Sequence, residues 1–204
     1  MKNKLIVLEG PDKIGKSTVI NSLSRILNAK VLIQPNGGNS LGFLRQRLKS
    51  RDMDISPLAR QLLHTCSHIV DYYEVISECN QLILMDRCYI SALVYGQAEG
   101  ENSSNLDLLK EVHNGVYGNL SDDFEIDIFV LSSSKLSVVG DESYYEKKLD
   151  MNIINKLYRN ISSNENSYYL GSKERIHHID IDEFDNADEV QCYIYDKLQS
   201  YSLR

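Results

Sequence analysis

The chain lacks any apolar run that approaches the length of a membrane-spanning helix. Its first residues lead directly into a short apolar segment and show no signal-peptide pattern. Basic residues are in the minority, because 22 Lys and Arg stand against 29 Asp and Glu, for a net charge of −7. We therefore expect a cytoplasmic protein with no membrane partner and no broad nucleic-acid-binding surface.

Cysteine is scarce, and the four cysteines, Cys66, Cys79, Cys88 and Cys192, are scattered without any C-x-x-C pair. This spacing favours reduced, mostly buried thiols over a disulfide framework or a zinc site. Cys88 lies close in sequence to the candidate site described below, and it is the thiol whose reactivity we would test.

Short apolar segments alternate with segments of helical spacing along the 204 residues, a length that suits one domain spanning 1–204. This alternation predicts a doubly wound parallel sheet, in which ligands bind outside the carboxyl ends of the strands. The predicted strands are Leu5–Leu8, Lys30–Gln34, Gln81–Met85, Ile126–Leu131 and Ile176–Asp180. The predicted helices are Lys16–Leu27, Ser40–Lys49, Pro57–Glu78, Tyr89–Glu99, Leu106–Tyr117, Tyr144–Ser162 and Ala187–Tyr201.

Polar stretches separate several of these elements. Glu99–Asn105 and Asp122–Glu125 are predicted to be loops. The segment Ser132–Glu142 is mostly polar and contains glycine. We expect it to be part of a small lid that spans about 132–148.

Residues Gly10–Ser17 read G-P-D-K-I-G-K-S, a complete G-x-x-x-x-G-K-[ST] phosphate-binding loop. A buried-strand pattern precedes it and a helical pattern follows it, which is the context that this motif requires. The glycines let the backbone wrap a phosphate, Lys16 can reach the β- and γ-phosphates, and the Ser17 hydroxyl can bind Mg²⁺. The alternative, a glycine-rich turn without a ligand, does not account for the flanking strand and helix.

A second pattern is Met85-Asp86-Arg87, directly after the apolar run Leu82–Leu84. A carboxylate at the carboxyl end of a buried strand, beside a phosphate loop, is placed to hold Mg²⁺ directly or through water. Arg87 can stabilise charge on a transferring group. The alternative is an ordinary salt bridge at a strand end.

Together these segments resemble the thymidylate kinase family of nucleoside monophosphate kinases. The similarity comprises the loop at Gly10–Thr18, the run D-R-C-Y-I-S-A-L-V-Y-G at Asp86–Gly96, Q-P-N-G-G-N at Gln34–Asn39, and a closing strand and helix at Arg175–Tyr201. Within Asp86–Gly96, the family's Asp-Arg-Tyr has Cys88 in place of its Tyr. The resemblance implies a P-loop NTPase-type sheet of five parallel strands, order 2-3-1-4-5, flanked by helices.

The resemblance also implies roles for individual residues. Those expected at ATP are Gly10, Lys13, Ile14, Gly15, Lys16, Ser17 and Thr18. Those expected at the acceptor monophosphate are Asp12, Arg45, His64, His68, Arg87 and Tyr95. Those expected to act in catalysis are Lys13, Lys16, Asp86 and Arg87. Those expected at Mg²⁺ are Ser17 and Asp86.

Two of these assignments have competitors. Lys13 matches the family's basic residue inside the phosphate loop, which one subclass carries in the lid instead, so that Lys147 and Lys148 compete with it. Arg45 is the best match to the arginine that grips the acceptor phosphate, but the register is off by one and Arg47 competes. Asp12 is expected at the sugar 3′-hydroxyl.

The family pattern breaks on the long third helix. Where the family usually has a Phe that stacks on thymine and an Arg one turn later, this chain has His64 and His68, and Gly96 replaces Gln or Thr near the base. The two histidines lie four positions apart and share one helix face. Base recognition, ordinary structural histidines and, last, a metal pair are the possible roles. The nucleobase is therefore open, and an altered pyrimidine or a broader deoxynucleotide range is possible.

The resemblance implies a homodimeric, Mg²⁺-dependent kinase that moves the ATP γ-phosphoryl to dTMP or a related deoxynucleoside 5′-monophosphate. One alternative is a kinase for a nucleoside or a modified base, in which Asp86 or Glu9 would have to act as the base. Another is a catalytically weak nucleotide-binding regulatory protein.

Overall fold

The computed structural model describes residues 3–49, 55–135, 149–161 and 174–202. Five strands form one parallel sheet in the order β2-β3-β1-β4-β5. The strands are β1 Asn3–Glu9, β2 Lys30–Ile33, β3 Ile83–Asp86, β4 Phe124–Ser132 and β5 Arg175–Asp180. The predicted strand order and the predicted parallel pairing are both confirmed.

Helices lie on both sides of this sheet. They are α1 Lys16–Leu27, α2 Gly42–Lys49, α3 Pro57–Asp71, α4 Tyr89–Ala98, α5 Ser103–Asp123, α6 Met151–Asn160 and α7 Ala187–Ser202. A π-helical turn, Tyr72–Ile76, continues α3, and a 3₁₀ turn, Ile181–Glu183, follows β5.

The alternation of side chains along β1 divides the core into two layers. Leu5 and Val7 pack into the cluster that contains α4 and α5, whereas Ile6 and Leu8 pack into the cluster that contains α1 and α7. Since successive side chains of a strand point to opposite faces, a central strand covered on both sides reads as a continuous apolar run. All of these positions are at most 1% exposed.

The predicted loop at Asp122–Glu125 is wrong. Helix α5 runs to Asp123 and enters β4 at once, because Phe124 is only 4% exposed and pairs with Asn3 of β1. The helix also begins earlier than predicted, since the side chain of Asn102 caps it by accepting from the Asn105 N–H at 3.0 Å. The loop before it is correspondingly shorter than Glu99–Asn105.

Two further predictions meet the limits of the described chain. Of the lid predicted at about 132–148, residues 136–148, with Lys147 and Lys148, lie outside the described residues. The helix predicted from Tyr144 is described from Met151 onward. No helix within the described ranges is long and apolar enough to cross a bilayer.

Candidate active site

The phosphate-binding loop joins β1 to α1 through a backbone that turns three times into the left-handed region. Gly10, Lys13 and Gly15 have φ angles of 144°, 64° and 96°. A Cβ on Gly10 would lie 2.5 Å from the Leu131 carbonyl oxygen, so this position admits only glycine. Gly15 is the N-cap residue of α1 and has no side chain that could accept from the first N–H groups of the helix. These N–H groups are therefore available to an anion bound in the loop.

The loop side chains divide by exposure. Lys13, Ser17 and Thr18 are exposed at the mouth of the loop. Ile14 is only 4% exposed and packs beneath the loop with the core of the α1 face. Its side chain thus anchors the loop, and only its backbone can meet a phosphate. Lys13 is a non-glycine residue at positive φ, a conformation that costs about 1 kcal/mol and tends to occur at functional sites.

Lys16 is folded back onto the loop that precedes it. Its side-chain Nζ donates to the carbonyl oxygens of Gly10 at 2.9 Å and of Pro11 at 2.8 Å, and the residue is 6% exposed. Burial, and secondly the positive charge of Arg87, lower the pKa of Lys16 to about 8. The ammonium group is therefore held where loop-bound phosphates would lie. Its positive charge is unfavourable in this buried position until an anion binds beside it.

Asp86 ends β3 beside the phosphate loop, in register with Leu8 of β1 and Ile33 of β2. Its Oδ1 is buried and accepts no hydrogen bond from any described residue. A buried carboxylate oxygen without a donor is costly unless a cation occupies the site. The unpartnered oxygen of Asp86 therefore suits Mg²⁺, which prefers oxygen ligands, and Ser17 is an exposed hydroxyl in the first turn of α1.

Arg87 gathers the centre of the site around its guanidinium group. One terminal nitrogen donates to the Gly10 carbonyl oxygen at 3.2 Å and to Ser91 Oγ at 2.9 Å, and the other pairs with the Asp12 carboxylate. The group also lies over the Tyr95 ring, 5.5 Å from its centre. The Arg87 backbone has a φ of 72°, so Arg87 is, after Lys13, the second non-glycine residue of the site in the left-handed region.

Asp12 is held between two of the predicted acceptor-side residues. Besides its pairing with Arg87, it accepts a hydrogen bond from the Tyr95 hydroxyl at 3.3 Å. Burial would raise the pKa of Asp12, but the positive charges of Arg87 and Lys16 outweigh burial and lower this pKa. The carboxylate is thus ionised and fixed near the phosphate loop.

Glu9 and Tyr158 are two residues of the candidate site whose positions the sequence did not predict. Glu9 is completely buried, and its oxygens accept from the backbone N–H groups of Cys88 at 2.6 Å and Ser91 at 3.2 Å and from the Ser91 hydroxyl at 2.8 Å. It thereby caps α4, whose own N-cap residue Cys88 makes no side-chain cap. A carboxylate so enclosed is not placed to act as a general base.

Tyr158 brings α6 into the same network. Its hydroxyl donates to Glu9 at 3.0 Å, and it lies 3.0 Å from Ser91 Oγ and 3.3 Å from an Arg87 nitrogen. The helix that follows the predicted lid is therefore connected to Arg87 through one hydroxyl. No sequence signal distinguishes Tyr158 from the other 12 tyrosines of the chain.

The buried environment of Cys88 makes it an inert thiol. The residue has no exposed surface, and burial, followed by the charge of Glu9, raises its pKa well above the ordinary value. Since the thiolate is the reactive form, Cys88 is not the reactive thiol of this chain. Its contribution here is its backbone N–H, which binds Glu9.

Asp71 holds in place the segment Gln34–Asn39, which carries the Q-P-N-G-G-N similarity to the family. This buried carboxylate accepts from the side-chain amides of Asn39 at 2.9 Å and Gln34 at 3.3 Å. Tyr117 in turn donates to Gln34 at 3.0 Å. Asp71 is the last residue of α3, directly before the π-helical turn, and sequence reasoning did not single it out.

The predicted acceptor-phosphate arginine stays undecided. Arg45 and Arg47 both lie on α2, the helix that follows the Gln34–Asn39 segment. Arg47 is exposed, and the side chain of Arg45 lies outside the described part of the chain.

The predicted histidine pair lies along α3, where it meets a third histidine from α5. His68 Nδ1 is 3.2 Å from His113 Nε2, and both residues are buried. Burial, then the charges of Arg60 and Arg87, lower the pKa of His64 to about 4. No group of three metal-ligating side chains occurs among the described residues.

Gly96 lies where α3, α4 and the start of α5 meet. A Cβ there would lie 3.4 Å from the Leu106 side chain and 3.5 Å from that of Gln61, which are ordinary van der Waals distances, so a methyl group fits at this position.

Comparison with known sequences gives a family match over most of the chain. The sequence profile described as thymidylate kinase matches residues 8–137. A thymidylate kinase of Campylobacter jejuni subsp. doylei is 34% identical over 94 residues, which are 45% of this chain and 49% of that protein. One from Campylobacter fetus subsp. fetus is 29% identical over 164 residues, covering 79% of this chain and 75% of that protein. The chain thus spans about half the length of the Campylobacter jejuni relative.

Solved structures share the fold. A thymidylate kinase from Candida albicans superposes with a TM-score of 0.68 at 18% identity, covering 98% of this chain and 93% of that one. One from Ehrlichia chaffeensis gives a TM-score of 0.66 at 18% identity, covering 98% and 99%. These similarities confirm the predicted P-loop NTPase-type architecture.

Proposed function

Because the chain belongs to the thymidylate kinase family, we propose that it transfers the γ-phosphoryl group of ATP to dTMP or a related deoxynucleoside 5′-monophosphate. The observation that carries this proposal is the meeting of two cations at one carbonyl. Lys16, from the phosphate loop, and Arg87, from the end of β3, both donate to the Gly10 oxygen, at 2.9 and 3.2 Å. One cation can serve the donor phosphates and the other the acceptor phosphate, with the transferred group between them.

On the donor side, the backbone N–H groups of the loop and the start of α1 would bind the ATP phosphates, with Lys16 swinging from the loop carbonyls onto them. Ser17 and Asp86 would hold Mg²⁺, which when bound neutralises phosphate charge and orients the γ-phosphate. Lys13, at the exposed mouth of the loop, would approach the transferred group. This proposal treats residues 1–204 as one kinase domain whose lid is the 132–148 segment.

On the acceptor side, Arg87 would grip the phosphate, and Asp12, held by Arg87 and Tyr95, would meet the sugar. The rest of the acceptor would extend along the α3–α4 face, toward His64 and His68, with Arg45 or Arg47 reaching in from α2. No general base is needed, since the acceptor phosphate is already an anion. A nucleoside acceptor would need one, and the burial of Glu9 speaks against it.

An assay with ATP, Mg²⁺ and a panel of nucleosides and 5′-monophosphates tests this function. We expect diphosphate products from one or more deoxynucleoside monophosphates and none from nucleosides. Products formed only from nucleosides would show that the acceptor has been misassigned. ATP binding without transfer to any monophosphate would instead favour a regulatory nucleotide-binding protein.

We also expect ATP affinity to fall as the pH rises above 8. The folded protein holds Lys16 with a pKa of about 8, and only the protonated form attracts phosphate. Bound phosphates raise that pKa, so by linkage the Kd for ATP should rise by up to about tenfold per pH unit above pH 8. Titration calorimetry between pH 7.5 and 9.5 measures this. Lys16→Met should bind weakly at every pH, with a flat profile, and a flat profile in the unsubstituted protein would refute the assignment.

We also propose that the protein is a cytoplasmic homodimer. ATP as the phosphoryl donor and reduced thiols are both typical of cytoplasmic proteins, and the four cysteines of the described chain form no disulfide. Exposed apolar side chains such as Phe43, 60% exposed, and Tyr73, 64% exposed, offer surface that a second copy could cover. Sedimentation equilibrium would measure the oligomeric state, and a monomer at micromolar concentration would refute the dimer.

A further inference from the structure

Charge is distributed unevenly along the chain. Residues 13–51 contain eight of the 22 Lys and Arg residues and none of the 29 Asp and Glu residues. Residues 176–196 contain seven Asp and Glu residues and no Lys or Arg. The net charge of −7 is therefore the balance of separate basic and acidic regions rather than a uniform acidity.

The sheet places these two regions at its opposite edges. The edge strands are β2, which lies within the basic region, and β5, which enters the acidic region. Helix α1 precedes β2 along the chain, and α7 follows β5. Two copies of the chain can therefore approach each other edge to edge with opposite charges facing each other.

The basic edge consists of Arg25 in the last turn of α1 and of Lys30, Val31 and Ile33 in β2. All four residues are exposed, and the two apolar residues, Val31 and Ile33, are 40% and 43% exposed. Exposed β-branched side chains beside exposed cations form a surface that suits a partner with both apolar and acidic groups.

The backbone of β2 is also open on this side. The N–H groups of Lys30 and Gln34 donate to carbonyl oxygens on the β3 side, at 2.9 Å each. Since alternate residues of a strand direct their backbone groups to opposite sides, those of Val31 and Ile33 point away from β3. Within the described sheet β2 has no second neighbouring strand, so these groups have no ladder partner there.

The acidic edge lies on the outer side of α7. Gln191 faces α1, because its side-chain oxygen accepts from the Ser22 hydroxyl at 3.0 Å. Tyr193 is two positions later, which is about 200° around the helix, so it faces away from α1. Glu189 and Asp196, four positions before and three positions after Tyr193, share this outer side and are exposed.

The acidic edge also includes apolar surface. Tyr193 is 40% exposed, and its ring packs edge-on against Phe184 with the ring centres 5.6 Å apart. Asp185, exposed directly before α7, adds a further carboxylate. This edge thus combines carboxylates with an aromatic group, and the basic edge combines cations with aliphatic groups, so that the two surfaces are complementary.

We propose that the acidic edge of one copy binds the basic edge of a second copy, so that the protein associates head to tail. Because different surfaces of the two copies meet, each copy keeps one free edge, and repetition gives an open chain or a closed ring. The inference is independent of the proposed function. The contact also differs from that of an isologous homodimer, in which the same surface of both copies meets.

Sedimentation velocity of the full chain at several protein and salt concentrations tests this association. We expect the size to rise with protein concentration at about 25 mM NaCl, and the association constant to fall about tenfold or more at about 300 mM NaCl, because salt screens the charges of the two edges. Absence of growth at low salt, or growth that salt does not weaken, would overturn the proposal and leave the kinase function standing.

Charge reversals at each edge locate the contact. Asp185→Lys with Asp196→Lys changes the acidic edge, and Arg25→Glu with Lys30→Glu changes the basic edge. Each double variant alone should associate about tenfold more weakly than the unsubstituted protein. The acidic-edge variant has the smaller net negative charge, so it would associate more strongly if overall repulsion controlled the result.

Mixing the two double variants restores one complementary contact, since the first retains the basic edge and the second retains the acidic edge. We expect the equimolar mixture to associate at low salt, although each variant alone does not. Failure of the mixture to associate would overturn the pairing of these two edges.

Two further variants separate the edges from net charge and from polarity alone. Asp107→Lys with Glu111→Lys makes the same change of charge at exposed positions of α5 and should leave association within about twofold. Tyr193→Ser removes apolar surface without changing charge and should weaken association at every salt concentration. Equal weakening by the α5 variant and the acidic-edge variant would overturn the assignment to the edges.

Discussion

Removal of the Arg87 guanidinium should reduce phosphoryl transfer by about a thousandfold or more. This group is the cation that reaches the Gly10 carbonyl from the β3 side and pairs with Asp12, so it contacts both halves of the proposed site. Transfer depends mainly on positioning and positive charge, since the acceptor phosphate needs little chemical activation. Single-turnover measurements with saturating ATP give the loss in the chemical step directly.

The backbone of Arg87 determines the best variant. Its φ of 72° strains any residue with a Cβ, so Arg87→Ala retains a cost of about 1 kcal/mol that Arg87→Gly removes. Both variants should lose transfer equally, while Arg87→Gly unfolds at the higher denaturant concentration of the two. Arg87→Lys keeps the positive charge but loses the planar set of N–H donors, and it should retain more activity than Arg87→Ala or Arg87→Gly.

A matched surface change gives the control. Arg25→Ala, on the exposed side of the last turn of α1, removes the same charge and should leave transfer within about twofold. Full activity in Arg87→Gly would remove Arg87 from the mechanism. A proportional loss of ATP affinity would assign Arg87 to donor binding instead.

Loss of the Glu9 carboxylate should destabilise the protein by about 3–5 kcal/mol. Glu9→Ala leaves the buried Cys88 N–H without its acceptor, and it removes one of two possible acceptors from the Ser91 N–H and from the Tyr158 hydroxyl. Each buried donor without a partner costs about 1–3 kcal/mol, and partial relaxation reduces the sum. Urea denaturation followed by circular dichroism measures the change in the free energy of unfolding.

A control variant and an activity measurement accompany this stability experiment. Glu111→Ala removes an exposed carboxylate from α5 and should change stability by less than about 0.5 kcal/mol. Activity of Glu9→Ala, measured well below its unfolding transition, should also fall, because α4 carries Ser91 and Tyr95 beside Arg87. A stability loss below about 1 kcal/mol would mean that water replaces the carboxylate and that the network is not the anchor of α4.

Local patterns predicted most of the fold. Each strand and helix was identified from the spacing of apolar residues, and α1 has the predicted bounds Lys16–Leu27. The errors occur where a capping side chain or a buried residue overrides local polarity. Asn102 starts α5 early, and Phe124 converts a predicted loop into the beginning of β4.

Sequence also predicted some residues of the candidate site and not others. Sequence motifs predicted Lys16, Asp86 and Arg87 as site residues, because their positions are fixed relative to one strand end and one loop. Sequence could not identify Asp71 or Tyr158, since Asp71 acts through Asn39, 32 residues away, and Tyr158 acts through Glu9, 149 residues away. Such contacts arise only when the sheet brings distant segments to one edge.

The sequence by itself determined that this chain has a phosphate-binding loop on a doubly wound parallel sheet, because glycine spacing and apolar alternation act over a few neighbouring residues. Only the tertiary structure decided what surrounds that loop. It enclosed Glu9 as an anchor of α4, and it placed His113 against His68 across 45 residues of chain. The charge state and tautomer of a side chain depend on its neighbours in space, which is why those of His68 and His113 could be inferred only from the folded protein.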